Sequence, residues 1–364
     1  MWYQIKNIDH IDTPALLVYK ERVKQNIAEA IAMVNSPAQL RPHVKTHKLK
    51  EVAALMMASG ISKFKCATIA EAEMLAIANA KDVLMAYLVL GPKIKRLQML
   101  QEKFTATNFS CLIDNYETAE QLSKNFINSP IKVYIDVNIG MNRTGILPEN
   151  TFALYKDCVA LKGIEIVGLH AYDGHVYDTD VAIRTGRASQ VIELLSVVKN
   201  HIDTYSGNKV KLVVGGTPTF NLYASQNNDV EVSPGTFVFW DNGYNSILPD
   251  MPFLYAAVIV TRVISIIDKK TLCIDLGHKA VAAENPLPRI EFLNVNNVKQ
   301  ISQSEEHLVV EVADTNEHKI GDVWYGVPIH ICPTVALYNE VMVVENETAF
   351  ESWKVLARDR KVGV

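Results

Sequence analysis

The chain lacks the features that would place it in a membrane, outside the cell or on nucleic acid. Its start, MWYQIKNIDH, has no basic stretch leading into an apolar run, so no secretory leader is expected. The longest greasy stretch, residues 253–267, is interrupted by Thr261 and Arg262 and falls short of the ~20 residues a membrane helix needs. There is no like-charge block, low-complexity tract or short repeat. A formal net charge of -4 gives nucleic acid and anionic lipid no electrostatic handle. The five cysteines, Cys66, Cys111, Cys158, Cys273 and Cys332, are odd in number and scattered, which suits reduced thiols and not a disulfide framework. These absences predict a soluble, cytoplasmic protein whose partner is a small molecule.

What is present is core-forming sequence: 364 residues, 49% hydrophobic, enough for one large domain or for a large and a small one sharing a boundary. Short β-branched runs alternate with helix-patterned stretches through the first two-thirds, the habit of parallel βαβ units. Eight candidate strands can be counted, at 40–46, 64–68, 83–88, 109–113, 133–137, 166–171, 210–216 and 230–234. Helical spacing recurs at Val23, Ile27, Ile31 and Val34 and around Val52, Leu55 and Met56, and TIAE at 68–71 reads as a capping box. Eight strands with helical crossovers predict a (β/α)8 TIM-type barrel over 19–244, with a doubly wound open sheet as the alternative. After Tyr244 the texture changes to alternating strands with tight turns, which predicts an antiparallel β domain over 245–364. Residues 1–18, ending in ALLVY, would add a strand to it.

Barrel enzymes gather their chemistry where strands end, and several reactive side chains fall there. Lys45, in RPHVKTHK, closes the first candidate strand between His43 and His47; it is either a solvated loop lysine or a desolvated amine fit for Schiff-base chemistry. Arg143 follows the fifth strand on a glycine-containing loop, and Tyr172 the sixth. Gly215, Gly216 and Thr217 follow the seventh, and Gly235 and Thr236 the eighth. Their backbone N–H groups form either ordinary turns or a phosphate cradle. His170 and His175 bracket Tyr172 as candidate bases. In VPIHICP, His330 and Cys332 are two apart, so on a strand they would share a face, with Pro333 ending the run, as a core pair or as two metal ligands. His307 reads as a surface turn, and Cys66, Asp136 and Asp241 as structural.

Taken together these segments resemble the D-threonine aldolase and D-serine dehydratase group, fold-type III pyridoxal-phosphate enzymes related to alanine racemase. The resemblance runs from DTPALLV (12–18) through RPHVKTHK (41–48), IDN (113–115), GMNRTG (140–145), GLHAYDG (168–174), GGTPTF (215–220), PGTFVFWD (234–241), DLGHK (275–279) and EEH (305–307) to HICP (330–333). It implies pyridoxal 5'-phosphate on Lys45, Arg143 against the cofactor phenolate and Tyr172 near the ring nitrogen. It also implies phosphate held by Gly215 to Thr217 and by Gly235 and Thr236, a divalent metal (zinc or manganese) on His330 and Cys332, and a homodimer. The substrate it implies is a β-hydroxy-D-amino acid.

Two departures bear on the reaction. Aldolases of the group usually carry His-x-Asp where this chain has His330 and Cys332, whereas His-x-Cys is similar to the dehydratases. Aldolases also place a histidine six residues after the tyrosine; here Asp178 stands there and His175 three residues earlier. The expectation is therefore a lyase that either dehydrates its substrate to a 2-oxo acid and ammonia, toward which Cys332 leans, or cleaves it to glycine and an aldehyde with His175 as base. An amino-acid racemase and a non-catalytic pyridoxal-phosphate carrier are the alternatives.

Overall fold

The computed structural model describes residues 1–226 and 229–364. The chain divides into two compact units: Met1–Ile27, Thr46–Leu49 and Thr236–Arg358 form one, and Ala28–Lys45, Lys50–Gly235 and Asp359–Val364 the other. The first strand, β1 (Ala15–Tyr19), belongs to the former. Among the described residues no helix is long and apolar enough to cross a membrane.

The second unit is a parallel barrel with helical crossovers. Its strands are β2 (Lys63–Cys66), β3 (Asp82–Leu88), β4 (Asn108–Ile113), β5 (Ile131–Asp136), β6 (Ile164–Ala171), β7 (Lys211–Val214) and β8 (Val230–Val232), hydrogen-bonded in chain order. Seven of the eight expected strands are thus present, and the segment 40–46 is the exception. Pro42 has no N–H and restrains Arg41 before it, so this stretch makes single bridges and no ladder. Leu40 bridges Val232 and His43 bridges Lys65. Arg41 N donates to Val232 O at 2.8 Å, and Lys65 N donates to Pro42 O at 2.8 Å. The segment therefore touches both β8 and β2 and fills the eighth place in the ring. Inside the ring, Leu84, Leu112, Tyr134 and Val213 form a buried layer. The expected cap forms at Thr68, which accepts from Glu71 N at 3.1 Å, while the Glu71 carboxylate reaches back one residue further than a capping box requires, to Ala67 N at 2.7 Å.

Closure is reinforced by one buried side chain. Arg41 is fully buried; its Nε donates to Glu231 Oε2 and its Nη1 to Asp82 Oδ1, both at 2.6 Å, tying the bridging segment to β8 and β3. Removing one member of a buried ion cluster strands the remaining charge, so Arg41→Met should cost about 3–5 kcal/mol. Denaturant unfolding would read it, and a loss below about 1 kcal/mol would show that the ring closes without this cluster.

The first unit is built around β1, which pairs antiparallel with β9 (Ala257–Ile266) and parallel with β15 (Glu340–Glu345). Its other strands are β10 (Thr271–Ile274), β11 (Ile290–Phe292), β12 (Lys299–Gln303), β13 (Leu308–Glu311), β14 (Val323–Pro328) and β16 (Thr348–Lys354). The order is β12-β13-β10-β9-β1-β15-β16, with β14 bridging β9 and β11. The parallel β1/β15 pair departs from the purely antiparallel expectation. It arises because β1 enters the sheet from the far end of the chain and has no hairpin to fix its direction. Alternate residues Leu17, Tyr19, Val258, Val260, Tyr325 and Val327 fill one core face.

A second correction concerns VPIHICP. The strand stops at Pro328, and Ile331–Val335 is a short helix with His330 at its N-cap. Pro333 sits in the first turn, where a missing N–H costs nothing, so it continues the helix it was expected to end. His330 and Cys332 remain neighbours, but across a helix start and not on one face of a strand.

Candidate active site

In the barrel unit, Lys45 lies two residues beyond the His43 bridge, its backbone N bonded to His43 Nδ1 at 3.2 Å. Its Nζ stands 5.5 Å from the centre of the Tyr172 ring, which the Arg143 guanidinium approaches at 5.1 Å. A third cation, Lys65 Nζ, lies 5.7 Å from the same ring. Lys45 and Arg143, far apart in sequence, thus both approach the Tyr172 ring at the C-terminal ends of the strands, and this is the attraction expected of cations near a π-system.

The Arg143 loop is shaped by its own polar groups. Asn138 Oδ1 accepts from Gly140 N at 3.0 Å and from Asn142 N at 3.1 Å, and Thr144 donates to Asp136 Oδ2 at 2.8 Å. Gly145 turns the chain back at φ +98, where a Cβ would come within 2.8 Å of Asn138 N. A cleft under this loop is lined by Ala86, Leu112, Asp136, Met141, Arg143 and Tyr172.

Gly215, Gly216, Thr217 and Gly235 also come together. Gly216 N donates to Thr219 Oγ1 at 3.4 Å and Gly235 N to Thr217 Oγ1 at 3.0 Å, while Gly215 N is held by Ala171 O at 3.2 Å. A phosphate there would compete with two threonine hydroxyls for N–H groups. The space is tight: a Cβ at Gly216 would lie 3.0 Å from the Tyr172 ring. Thr236 falls in the other unit, its hydroxyl 3.4 Å from Cys332 Sγ.

His175 points elsewhere. It packs on Gly140 and lines a cleft with Ile139, Val176, Arg187, Val191 and Leu194, and its Nδ1 is buried without a hydrogen bond. His170 faces inward from β6, with Nδ1 2.7 Å from Asp136 Oδ1. Burial pulls its pKa down, and so does Lys65, against the opposing pull of Asp136. In the other unit His47 is buried and pulled down to about 3, so it is a neutral ring accepting from Leu49 N at 3.0 Å.

The β unit carries the second cluster. His330 Nδ1 lies 2.6 Å from Glu284 Oε1. Burial pulls the His330 imidazolium down, but Cys332, Glu284 and Asp241 outweigh it and bring it up to about 9. Asp241 accepts from Tyr244 N at 2.9 Å and Ile331 N at 3.0 Å, and burial lifts its carboxyl to about 6 against those bonds. Cys332 Sγ is 3.1 Å from the hydroxyl of Thr46, the residue that follows Lys45 in the chain. Among the described residues no group of three or more His, Cys, Asp or Glu is arranged to hold a metal. The imidazole and thiol are a pair of donors of the kind zinc accepts, and further ligands would have to be substrate or water. His307 is exposed, on the turn where its carbonyl accepts from Ser304 N.

Sequence reasoning missed Lys65, Thr46 and Glu284. A signal existed for Lys65: a lysine inside a buried strand, Lys63–Cys66, at the end where barrels keep their chemistry. Glu284 had none, since 46 positions separate it from His330.

The chain matches the family model described as alanine racemase, N-terminal domain, over residues 18–242, and a serine dehydratase domain model over 256–344. A D-threonine aldolase of Arthrobacter sp is 26% identical over 96% of this chain and 93% of its own length. The solved D-threonine aldolase from Filomicrobium marinum superposes with a TM-score of 0.88 at 24% identity, covering 98% of this chain and 97% of that one. A cysteine-to-alanine mutant of D-threo-3-hydroxyaspartate dehydratase in the metal-free form gives 0.82 at 22% identity, covering 95% and 98%. At such identities the two structures speak for the fold, an alanine-racemase-like barrel with a separate β-sheet unit.

Proposed function

This chain belongs to the alanine racemase N-terminal domain family, and we propose that it is a pyridoxal-phosphate- and divalent-metal-dependent lyase acting on β-hydroxy-D-amino acids. The observation that carries the reading is the approach of Lys45 Nζ and the Arg143 guanidinium to the Tyr172 ring, at 5.5 and 5.1 Å from its centre. Lys45 would hold the cofactor, Arg143 its phenolate, Tyr172 would lie by its ring, and Gly215 to Thr217 with Gly235 and Thr236 would take its phosphate. The cation cage at Tyr172 fits an anionic aromatic group, and the His330/Cys332 donor set fits a divalent ion. When bound, the two groups would supply an electron sink for a bond broken at Cα and a polarised β-hydroxyl.

The chain's own residues then decide which bond breaks. If Lys45 Nζ removes the α-proton, the β-hydroxyl leaves and a 2-oxo acid and ammonia follow. Carbon–carbon cleavage needs instead a base for the hydroxyl proton. Asp178, where aldolases of the group have histidine, ion-pairs with Arg187 at 3.3 Å while its carbonyl accepts from Arg184 at 2.6 Å. His175 packs against Gly140 in its own cleft. Dehydration is therefore the first reading. Retro-aldol cleavage is the second, favoured by the near full-length match to a D-threonine aldolase.

The test is to incubate the holoenzyme with D-serine, D-threonine and 3-hydroxy-D-aspartate and to assay 2-oxo acid and glycine in the same tubes. A 2-oxo acid with ammonia supports dehydration, and glycine with an aldehyde supports the second reading. Neither product, with the cofactor bound on Lys45, would sink the lyase assignment in favour of a racemase or carrier.

A further inference from the structure

Lys65 has no task in the mechanism above, yet it is a lysine with 2% exposure inside the barrel. Its Nζ lies 3.4 Å from His170 Nε2. His170 Nδ1 faces Asp136 Oδ1 at 2.7 Å, and the second oxygen of Asp136 accepts from Thr144. With Nδ1–H given to the carboxylate, Nε2 is an acceptor that holds the Lys65 amine in place. The same amine lies 5.7 Å from the Tyr172 ring that Lys45 Nζ approaches at 5.5 Å.

The charged groups facing Lys65 are Lys45 and Arg41 from the bridging segment, Asp136 from β5, His170 from β6 and Asp173 just after it. Burial does most to discharge the amine and Lys45 and Arg41 add to it, against Asp173 and Asp136, so Lys65 is pulled down to about 7. An amine poised near the working pH can both take and return a proton, which one in bulk water cannot do.

We propose that Lys65 is the proton partner of Lys45, a positioning residue that takes the proton Lys45 sheds before its amine reacts with the cofactor aldehyde and returns it when substrate displaces Lys45. The inference rests on Lys45 being the cofactor lysine. In the forward step one N–H bond on the Lys45 ammonium breaks and one forms on Lys65 Nζ, and the positive charge moves with the proton. The new ammonium donates to His170 Nε2, behind which the Asp136 carboxylate balances the charge.

The experiment follows capture of pyridoxal phosphate by the cofactor-free protein, by rapid-mixing absorbance across about pH 6 to 9, for wild type, Lys65→Met and Lys65→Arg. Both variants should capture about a hundredfold more slowly at neutral pH and lose the wild-type pH dependence, because neither side chain can take a proton there. Wild-type rates in both variants would overturn the proposal. So would full rescue by Lys65→Arg alone, since a fixed charge would then suffice. A wild-type measurement guards against variants that fail to fold: the lysine Cε resonances should include one that titrates near 7, and a spectrum in which all titrate above about 9 overturns the proposal. If the wild type captures no cofactor on Lys45, the cofactor reading itself falls and this inference with it, an outcome distinct from capture that ignores Lys65.

Discussion

Lys45→Ala should abolish covalent capture of pyridoxal phosphate and lower turnover by about 10⁴-fold or more, since it removes the proposed nucleophile. The amine is placed by its surroundings: the bridging segment fixes its backbone through His43, and its Nζ lies 5.5 Å from the centre of the Tyr172 ring that Arg143 also approaches. Borohydride reduction of the loaded enzyme followed by peptide mapping should put the pyridoxyl group on the peptide that contains Lys45 and on no other. Lys65 makes the control informative, because a second amine shares the same ring. If Lys45→Ala still carried the label, another lysine would be the attachment point and the assignment of Lys45 would fail. A full loss of label together with retained product formation would instead separate catalysis from the cofactor altogether.

Much of the barrel was legible because its strands are buried on both faces and read as short apolar runs between helical patterns. Val83 to Met85 and Cys111 to Ile113 are of this kind, buried along their length. Two of the misreadings have a common origin in proline. Pro42 turned an apparent strand into two bridges, and Pro333 joined a helix start where a strand end was expected. In both, the apolar pattern was right about burial, but the hydrogen-bond pattern depended on where the missing N–H fell. The convergence of Lys45, Arg143 and Tyr172 was foreseeable, because barrels bring strand ends to one face. Lys65 was hidden by its setting: a lysine beside Phe64 and Cys66 looks like the polar half of an alternation, and only the barrel interior reveals which way it points. The contacts around Cys332 with Thr46 and Thr236 were not legible at all, since no periodicity relates positions so far apart.

Chelation of the divalent ion proposed for His330 and Cys332 is the other change expected to have a large effect. His330 Nδ1 is engaged by Glu284, which fixes the ring and leaves Nε2 as the nitrogen available to an ion, and second-contact groups of this type commonly matter 10–100-fold for affinity. Cys332 Sγ has hydroxyls of Thr46 and Thr236 at 3.1 and 3.4 Å, either of which can donate to a thiolate. If a divalent ion on this pair activates the β-hydroxyl, chelation should lower product formation by about 10²–10³-fold, and added zinc or manganese should restore it. Cys332→Ala should lose most bound metal by elemental analysis after dialysis while keeping pyridoxal phosphate on Lys45, because the two attachments use different side chains. Its product formation should fall with the metal. Full activity in the chelated wild type would remove the metal from the reaction and return His330 and Cys332 to a packing role. Retained metal with lost activity in Cys332→Ala would mean that the thiol acts on the substrate and is not needed to hold the ion.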